Sequence, residues 1–508
     1  MNNRQKVFNN IKSNLLYQAI TLVLGIMIPR LVLVNLGSEA NGLLNSTNQA
    51  ITYLALLESG MGLSITQALY GPVARDERNI INGIMSASNY FYRNVGKLYF
   101  VGMIVIAIVY TVTIPTSLSK FTVFGVVMLT GLPQVVNFFF QGKYRTLISI
   151  SGKGYVLTNF NTITYIGTSV IKIVLLINGF GVIAIQLLYF TVSLTQMFFI
   201  IWYVKKEFPW LDINVSPMTE KIGRRDSVFL HQISGFIFSN TDLLILTYLC
   251  DLKVVSVYSM YNIFYTMVNS LISNITGSIV FLMGQTFNSD KKKYLELHNV
   301  CETLSMMLTF SCYSVMNICI LPFLQLYVGD ITDINYIDDK LPILFTAIQL
   351  LISGRFASQK VIEYAGKFKE TQIHATIEML INIVCSIVFT LKYGIYGVLA
   401  GTVAALVVRS VLMISYASKE ILHNSQGRVY MKWGVNTSLF CVLYMCGSKM
   451  SIILDSYFDL ILFAGLAMSV VLLIYMAAVY LYDKKTFKFA ICKVKGFKNY
   501  EKNNRKNC

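Results

Sequence analysis

Apolar residues fill long runs of this 508-residue chain, and short polar stretches separate the runs. A helix of about 20 consecutive apolar residues spans the hydrocarbon core of a bilayer. The pattern therefore predicts an all-α polytopic membrane protein with about fourteen transmembrane helices. The predicted spans are 13–35, 42–69, 97–117, 120–141, 155–177, 181–203, 227–249, 255–284, 302–327, 341–363, 371–391, 394–417, 433–453 and 458–481.

Basic residues are distributed unevenly between the two sets of loops that these spans define. Five Lys or Arg lie in loops on one side, five lie inside spans, and the other 32 of the 42 lie on the opposite side. Positive charge is retained on the cytoplasmic side of a membrane. The asymmetry therefore predicts that both termini are cytoplasmic.

Composition supports a membrane protein and excludes several other classes. Apolar residues make up 55% of the chain and charged residues only 13%, about half the charged share of soluble domains. The net charge of +17 lies in juxtamembrane loops and a tail, where anionic lipids rather than nucleic acid are the expected partner. The nine cysteines form no CxxC pair or metal spacing, and Gly152-Lys153-Gly154 is too short for a P-loop. We expect no catalytic residues, no metal and no cofactor.

A weak internal repeat predicts two halves. Leu36 to Leu43 and Leu249 to Ser259 occupy matching places, and a basic segment follows each. Six helices per half, running in the same direction, make a parallel pseudo-repeat. The predicted domains are an N-terminal six-helix lobe at 1–204, a cytoplasmic linker at 205–226, a C-terminal six-helix lobe at 227–418, two additional transmembrane helices at 419–482 and a basic cytoplasmic tail at 483–508.

Short motifs across the chain resemble those of a known family. They are Asn14-Leu15-Leu16, Pro29-Arg30, Leu36-Gly37, 57–62 (LESGMG), 241–245 (TDLLI) and Val257-Tyr258-Ser259. The chain resembles the polysaccharide transporter branch, which includes O-antigen flippases, of the multidrug/oligosaccharidyl-lipid/polysaccharide superfamily. The resemblance implies a MATE-like fold of two lobes around a cavity, alternating access in the bacterial plasma membrane, and a polyprenyl-pyrophosphate-linked oligosaccharide as cargo.

Charged residues inside spans are the candidate functional residues, because a charge in the bilayer is costly and usually faces a cavity or a partner. Four cations are predicted to bind the anionic headgroup: Arg30, Lys172, Arg355 and Arg409. Snorkelling to the interface is the alternative for Arg30 and Lys172. Polar stripes at helical spacing accompany them, at 134, 137, 141 and 145, at 161, 164, 168 and 172, and at 262, 266, 269 and 273. An interhelical hydrogen-bond seam is the alternative for such stripes.

Four carboxylates inside spans are predicted gating or ion-pair residues: Glu58, Asp242, Glu363 and Glu378. They could neutralise the cations, and a fixed structural ion pair is the alternative. For Glu58 and Asp242 the family resemblance also implies a structural or gating role. Helical spacing places Arg355, Gln359 and Glu363 on one face of a continuous span and predicts that Lys360 points off that face.

The sequence leaves three rival functions open. An ion-coupled multidrug exporter of the same fold would need acidic residues to dominate the cavity, whereas five basic and four acidic residues lie in the spans. A membrane polysaccharide polymerase or glycosyltransferase would need a larger external loop than 328–340. A scaffold of an envelope-assembly complex is the third rival. For the flippase itself, a polysaccharide polymerase and other assembly proteins are the expected protein partners.

Overall fold

The computed structural model describes residues 3–58, 61–222, 226–448, 456–484 and 486, and these residues form helices and no strands. The first nine helices are α1 Asn3–Leu54, α2 Met61–Ala74, α3 Arg78–Thr113, α4 Lys120–Val136, α5 Gly142–Ile148, α6 Gly154–Ile177, α7 Val182–Glu207, α8 Asp226–Asn240 and α9 Asp242–Leu249. The others are α10 Leu252–Ser289, α11 Lys291–Val328, α12 Leu341–Gly354, α13 Phe356–Tyr364, α14 Phe368–Tyr393, α15 Ile395–Tyr416, α16 Gly427–Gly447 and α17 Tyr457–Tyr482.

The predicted fold class, an all-α polytopic membrane protein, is confirmed. Within the described ranges, nine helical stretches are long and apolar enough to cross a membrane. One of them, Lys120–Ile177, contains two of the predicted spans and continues through π-helical turns at Asn137–Gln141 and Ser149–Lys153. The count of fourteen spans stays a prediction.

Helix α1 contains the first predicted span and the first part of the second, with a kink between them. The kink lies at Gly37, whose φ of 80° is readily adopted only by glycine. Just beyond it, the Ser38 backbone N–H and hydroxyl both donate to the Asp333 carboxylate, at 3.0 and 2.6 Å. The predicted loop at 36–41 is therefore a bend within one helix, held by a carboxylate from a distant part of the chain.

The two segments that suggested an internal repeat contact each other. A β-carbon at Gly42 would lie only 1.8 Å from the carbonyl oxygen of Leu252, the first residue of α10. Asn41 donates to the Ser256 hydroxyl at 2.7 Å, one turn further along α10. Glycine at position 42 therefore allows the backbones to meet and the neighbouring Asn41 side chain to hydrogen-bond across the contact.

Contacts within the chain group its residues into two compact units. Unit 1 comprises Met1–Ser259 with Ile331–Ile334, and unit 2 comprises Met260–Asp330 with Asn335–Cys508. The predicted domain boundaries around 205–226 and 418 stay predictions. The predicted tail at 483–508 lies almost entirely outside the described residues.

In unit 2, α14 and α15 cross closely because of two glycines four residues apart. A β-carbon at Gly397 would lie 2.3 Å from the Phe389 backbone, and one at Gly401 would lie 2.4 Å from the Ser386 nitrogen. Small residues at this spacing allow membrane helices to approach closely. The crossing brings the polar residues of both helices together in the unit.

Helices α16 and α17, which correspond to the two predicted additional spans, pack against α11. Lys432 on α16 forms an ion pair of 2.7 Å with Glu302 on α11, and both side chains are almost fully buried. The hydroxyl groups of Tyr475 on α17 and Ser314 on α11 are 3.1 Å apart. Polar contacts therefore hold both helices to the rest of unit 2.

Candidate functional site

A buried triad of charged residues lies in unit 2. Glu378 on α14 lies between two arginines, with Oε1 at 2.9 Å from Arg355 Nη1 and Oε2 at 3.5 Å from Arg409 Nε. The side chains of Arg409 and Glu378 are only 4% and 6% exposed. Because two cations share one carboxylate, the triad keeps a net charge of +1 in a region of low dielectric constant.

The backbone positions each member of this triad. Helix α12 ends at Gly354, and Arg355 follows with a ψ of 2°, so its side chain lies at a break between α12 and α13. The close α14–α15 crossing brings Glu378 and Arg409 together. Arg409 Nη1 also donates to the Thr371 carbonyl on α14 at 3.3 Å. The sequence singled out all three residues, and the structure brings them together.

The structure changes the predicted arrangement of Lys360. Gln359, Lys360 and Glu363 all lie within α13, which begins at Phe356. Lys360 and Glu363 are three residues apart, and residues at this spacing are neighbours on a helix. Within α13, Lys360 Nζ lies 2.6 Å from Glu363 Oε2, and the Gln359 amide donates to Glu363 Oε1 at 3.0 Å. The expectation that Lys360 points away from Gln359 and Glu363 is therefore wrong.

Lys360 and Gln359 also line a cavity of about 310 Å³ in unit 2. Part of the third predicted stripe lies here, because Asn269 and Ser273 are on the cavity wall and the Ser353 hydroxyl donates to Asn269 at 3.2 Å. Arg355 and Arg409 are not among the lining residues. The cavity wall thus combines amide and hydroxyl groups and one cation with apolar side chains such as Ile352 and Phe356.

The cations of unit 1 have different surroundings. Lys172 on α6 is 7% exposed, and its Nζ lies 5.4 Å from the centre of the Tyr189 ring on α7. No carboxylate among the described residues lies within ion-pair distance of Lys172. Arg30 lies on α1 directly after Pro29 and is half-buried. Among the residues that the structure describes, Lys172 is therefore a buried cation whose charge faces an aromatic ring and no carboxylate.

A hydrogen-bond network links the first two predicted polar stripes. Arg145 donates to the side-chain oxygen of Gln141 from Nε at 3.2 Å and from Nη2 at 3.1 Å, and Nη2 lies 3.4 Å from Gln196 Oε1. Gln196 on α7 in turn donates to the Thr164 hydroxyl on α6 at 3.0 Å. These contacts match the hydrogen-bond seam that was the alternative for the stripes. Gln196 was not predicted from the sequence, and its position three residues after Ser193 was the available signal.

Glu58 and Asp242 in unit 1 both accept hydrogen bonds from tyrosine. The Tyr92 hydroxyl donates to Glu58 at 2.8 Å, and the Tyr258 hydroxyl donates to Asp242 at 3.1 Å. Asp242 is the first residue of α9, where a carboxylate interacts favourably with the helix dipole. Within the described part of the chain, Glu58 forms no ion pair with a predicted cavity cation.

Comparisons with known proteins are informative at the level of the fold. No protein-family model and no curated protein sequence matches the chain. Among solved structures it is similar to the lipid II flippase MurJ in an inward closed conformation, with a TM-score of 0.66 and 15% identity over 93% of this chain and 99% of that chain. It is also similar to an inward-facing multidrug resistance MATE family transporter of the MOP superfamily, with a TM-score of 0.58 and 14% identity over 84% and 96% of the two chains.

A third similar structure is a complex of the MATE multidrug transporter DinF-BH, with a TM-score of 0.54 and 13% identity over 82% of this chain and 95% of that chain. The three likenesses cover most of every chain. They show that this chain has the fold shared by these flippases and drug transporters, and at such low identity they show the fold alone.

Proposed function

We propose that this protein is a flippase that moves a polyprenyl-pyrophosphate-linked oligosaccharide across the bacterial plasma membrane by alternating access. The cargo is an O-antigen, capsule or exopolysaccharide repeat unit, which crosses from the cytoplasmic to the outer leaflet. Both termini are cytoplasmic in this proposal. Membrane lipids surround the protein, and a polysaccharide polymerase with other assembly proteins receives the product.

One observation carries this proposal: buried cations exceed the carboxylates that neutralise them in both units. Arg355 and Arg409 share Glu378, and Lys172 has no carboxylate partner among the described residues. A buried charge without a partner is costly. Such a cost is offset when an anionic ligand supplies the missing charge during the transport cycle, as a pyrophosphate would.

The charged residues have different roles in this proposal, according to what surrounds them. Lys172 and Arg30 in unit 1 and the Arg355–Arg409 pair in unit 2 bind the pyrophosphate or acidic sugars. Glu378 holds the two arginines in place, and Glu363 does the same for Lys360. Glu58 and Asp242, which accept from tyrosines, act in gating. The polyprenyl tail stays in the lipid while the headgroup crosses.

A multidrug exporter is the second candidate, because two of the similar structures are multidrug transporters. Export of cationic drugs needs an accessible carboxylate without a cationic partner. Of the four carboxylates singled out in the spans, Glu363 and Glu378 are held by cations, and Glu58 and Asp242 accept hydrogen bonds from tyrosines. Each of the four already has a partner, which favours an anionic cargo over a cationic one. An enzymatic role as a polymerase or glycosyltransferase has no structural observation in its favour.

The test compares lipid extracts from a deletion strain and its parent. We expect the lipid-linked oligosaccharide to accumulate on the cytoplasmic leaflet while surface polysaccharide falls, because synthesis continues without translocation. Sensitivity to ethidium, measured in the same strains, is expected to stay unchanged. An unchanged lipid-linked pool with raised ethidium sensitivity would instead identify a drug exporter.

A further inference from the structure

A second polar cavity in unit 2 lies apart from the charged triad and from the cavity at Lys360. It has a volume of about 270 Å³, and its wall includes His298, Asn299, Glu302, Ser418, Ser425 and Arg428. These residues come from α11, from the π-helical turn Ala417–Leu422, from the short connection after it and from the start of α16. All of them lie in or beside segments predicted to be cytoplasmic, so the cavity belongs to the cytoplasmic end of the unit.

His298 is the first sign that this cavity holds a ligand. Its side chain is 2% exposed, and neither ring nitrogen makes a well-aligned hydrogen bond, although the Ala357 backbone lies beside the ring. Buried polar groups in folded proteins are almost always hydrogen-bonded. A partner that fills the cavity and contacts His298 would remove this deficit.

The charges on the wall indicate which kind of partner fits. Glu302 is neutralised by Lys432, whose Nζ lies 2.7 Å from Glu302 Oε2, with both side chains almost fully buried. Arg428 is exposed and forms no ion pair with any residue that the structure describes. One uncompensated positive charge therefore remains on the wall, beside hydroxyl and amide groups that can donate hydrogen bonds.

This combination suits a phosphate group. An arginine guanidinium presents a planar fork of donors that matches the oxygens of a phosphate. Ser418, Ser425, Asn299 and the His298 imidazole offer further donors, more than the two oxygens of a carboxylate would need. We propose that this cavity is a phosphate-binding site, filled by the headgroup of an anionic phospholipid or by a soluble phosphate ester.

A neighbouring cavity favours the phospholipid over the soluble phosphate ester, because it has room for apolar chains. It has a volume of about 630 Å³, shares Asn299 and Arg428 with the first cavity, and has apolar side chains including Met431 and Leu481 on its wall. Lys484 adds a second cation, and Glu296 and Asp483 add two carboxylates, so the charges on this wall are mixed. Cationic side chains between helices on the cytoplasmic side of membranes can still bind an anionic headgroup. A phospholipid could place its phosphate at Arg428 and its chains against the apolar wall.

Occupation of the site has a structural consequence within unit 2. His298 belongs to α11 and Arg428 to α16, so one phosphate would bridge the same two helices that the Glu302–Lys432 pair already joins. A ligand that binds only the folded state raises its stability in proportion to the logarithm of ligand concentration. The bound phosphate would therefore strengthen the attachment of α16.

The experiment measures the unfolding midpoint of the purified full-length protein in detergent during titration with defined probes. The lipid probe is phosphatidylglycerol, with phosphatidylcholine as its zwitterionic control. The soluble probe is sn-glycerol 3-phosphate. A concentration-dependent rise with phosphatidylglycerol alone identifies a lipid headgroup, and a rise with glycerol 3-phosphate identifies a soluble ester. Failure of both probes to shift the midpoint overturns the proposal and leaves a cavity that holds only water.

Two variants connect the shift to this cavity. Arg428→Ala should weaken the effective probe at least about tenfold, because a hydrogen-bonded charge is lost. Lys419→Ala is its matched control, since Lys419 is an exposed cation on the neighbouring π-helical turn and lies outside both cavities. His298→Leu should keep the ligand-free midpoint at or above that of the wild type and lose most of the ligand-dependent rise. Wild-type probe affinity in both Arg428→Ala and His298→Leu would overturn the assignment.

Discussion

Buried positive charges have different kinds of partner in the two units. In unit 2, Arg355 and Arg409 are fixed by Glu378, a carboxylate on a third backbone segment. In unit 1, Lys172 faces the Tyr189 ring and Arg145 contacts only the neutral oxygens of Gln141 and Gln196 among the described residues. Depth in the membrane would make the arginines of unit 2 the stronger candidates for cargo binding. The contacts favour Lys172, because in the described part of the chain its charge has no carboxylate to release before an anion binds.

The largest expected effect is on the folding of unit 2. Glu378→Ala leaves two buried arginines without their shared carboxylate, and removal of one partner from a buried pair costs about 3–5 kcal/mol. We expect a strongly lowered unfolding midpoint and little folded protein in the membrane. Glu370→Ala on the same helix is the control, since Glu370 pairs with Lys367 at an exposed site and should tolerate the change. Equal midpoints for the two variants would refute the structural role of Glu378.

Lys172→Met in unit 1 removes a buried cation instead of the carboxylate that neutralises one. The substitution removes a charge that has no carboxylate partner in the described chain, so the unfolding midpoint should stay the same or rise. Transport should fall at least about tenfold, because a desolvated charge pair with the cargo contributes roughly 2–5 kcal/mol. Surface polysaccharide and protein level are measured together. Lys120→Met, at an exposed site at the start of α4, should leave both unchanged.

A variant that unfolds but keeps normal transport per folded molecule would show that Lys172 is structural. In that case the contrast between the two units would concern stability alone.

Arg409→Lys gives a smaller change that separates charge from geometry. Lysine keeps the positive charge near Glu378 but cannot also donate to the Thr371 carbonyl with a planar fork. We expect about 1 kcal/mol of lost stability and partial transport, compared with larger losses in Arg409→Ala. Arg75→Lys at an exposed ion pair should behave like the wild type. Full activity of Arg409→Lys would mean that only the charge matters.

The smallest effect is expected at the seam of unit 1. Gln196→Leu removes the amide that joins Arg145 to Thr164, and one such bond between membrane helices contributes about 0.6 kcal/mol. The midpoint should fall slightly with transport intact. Thr195→Val is the neighbouring control, since the Thr195 hydroxyl donates to the Thr191 carbonyl of its own helix. A large loss of transport in Gln196→Leu would instead place this amide in contact with the cargo.

Much of the fold could be predicted from the sequence, because burial in lipid constrains every span in the same way. Apolar length predicted the helices, and charged residues inside spans pointed to Arg355, Glu378 and Arg409. Which cations share the Glu378 carboxylate could not be predicted, since this depends on the close crossing of α14 and α15 that Gly397 and Gly401 permit. Periodicity reveals which residues share a face of one helix but not which helices meet.

Two details of the site show where helical spacing fails. The face of Lys360 was wrong because only the spacing of four residues was considered, whereas Lys360 lies three residues before Glu363 and its long side chain reaches that carboxylate. Gln196 was missed because an uncharged amide in an apolar helix gives a weak signal, although it joins two predicted stripes. Pairs three residues apart and neutral polar residues therefore have to be considered together with charged residues four apart.

The contact at Gly42 has a consequence at the level of the gene. The Leu252 carbonyl oxygen lies where any β-carbon on residue 42 would have to be, and every amino acid except glycine carries a β-carbon. All missense changes at codon 42 therefore cause the same collision with the backbone, whichever side chain they encode. A saturation library at this codon, selected for surface polysaccharide, should return the synonymous glycine codons and almost nothing else.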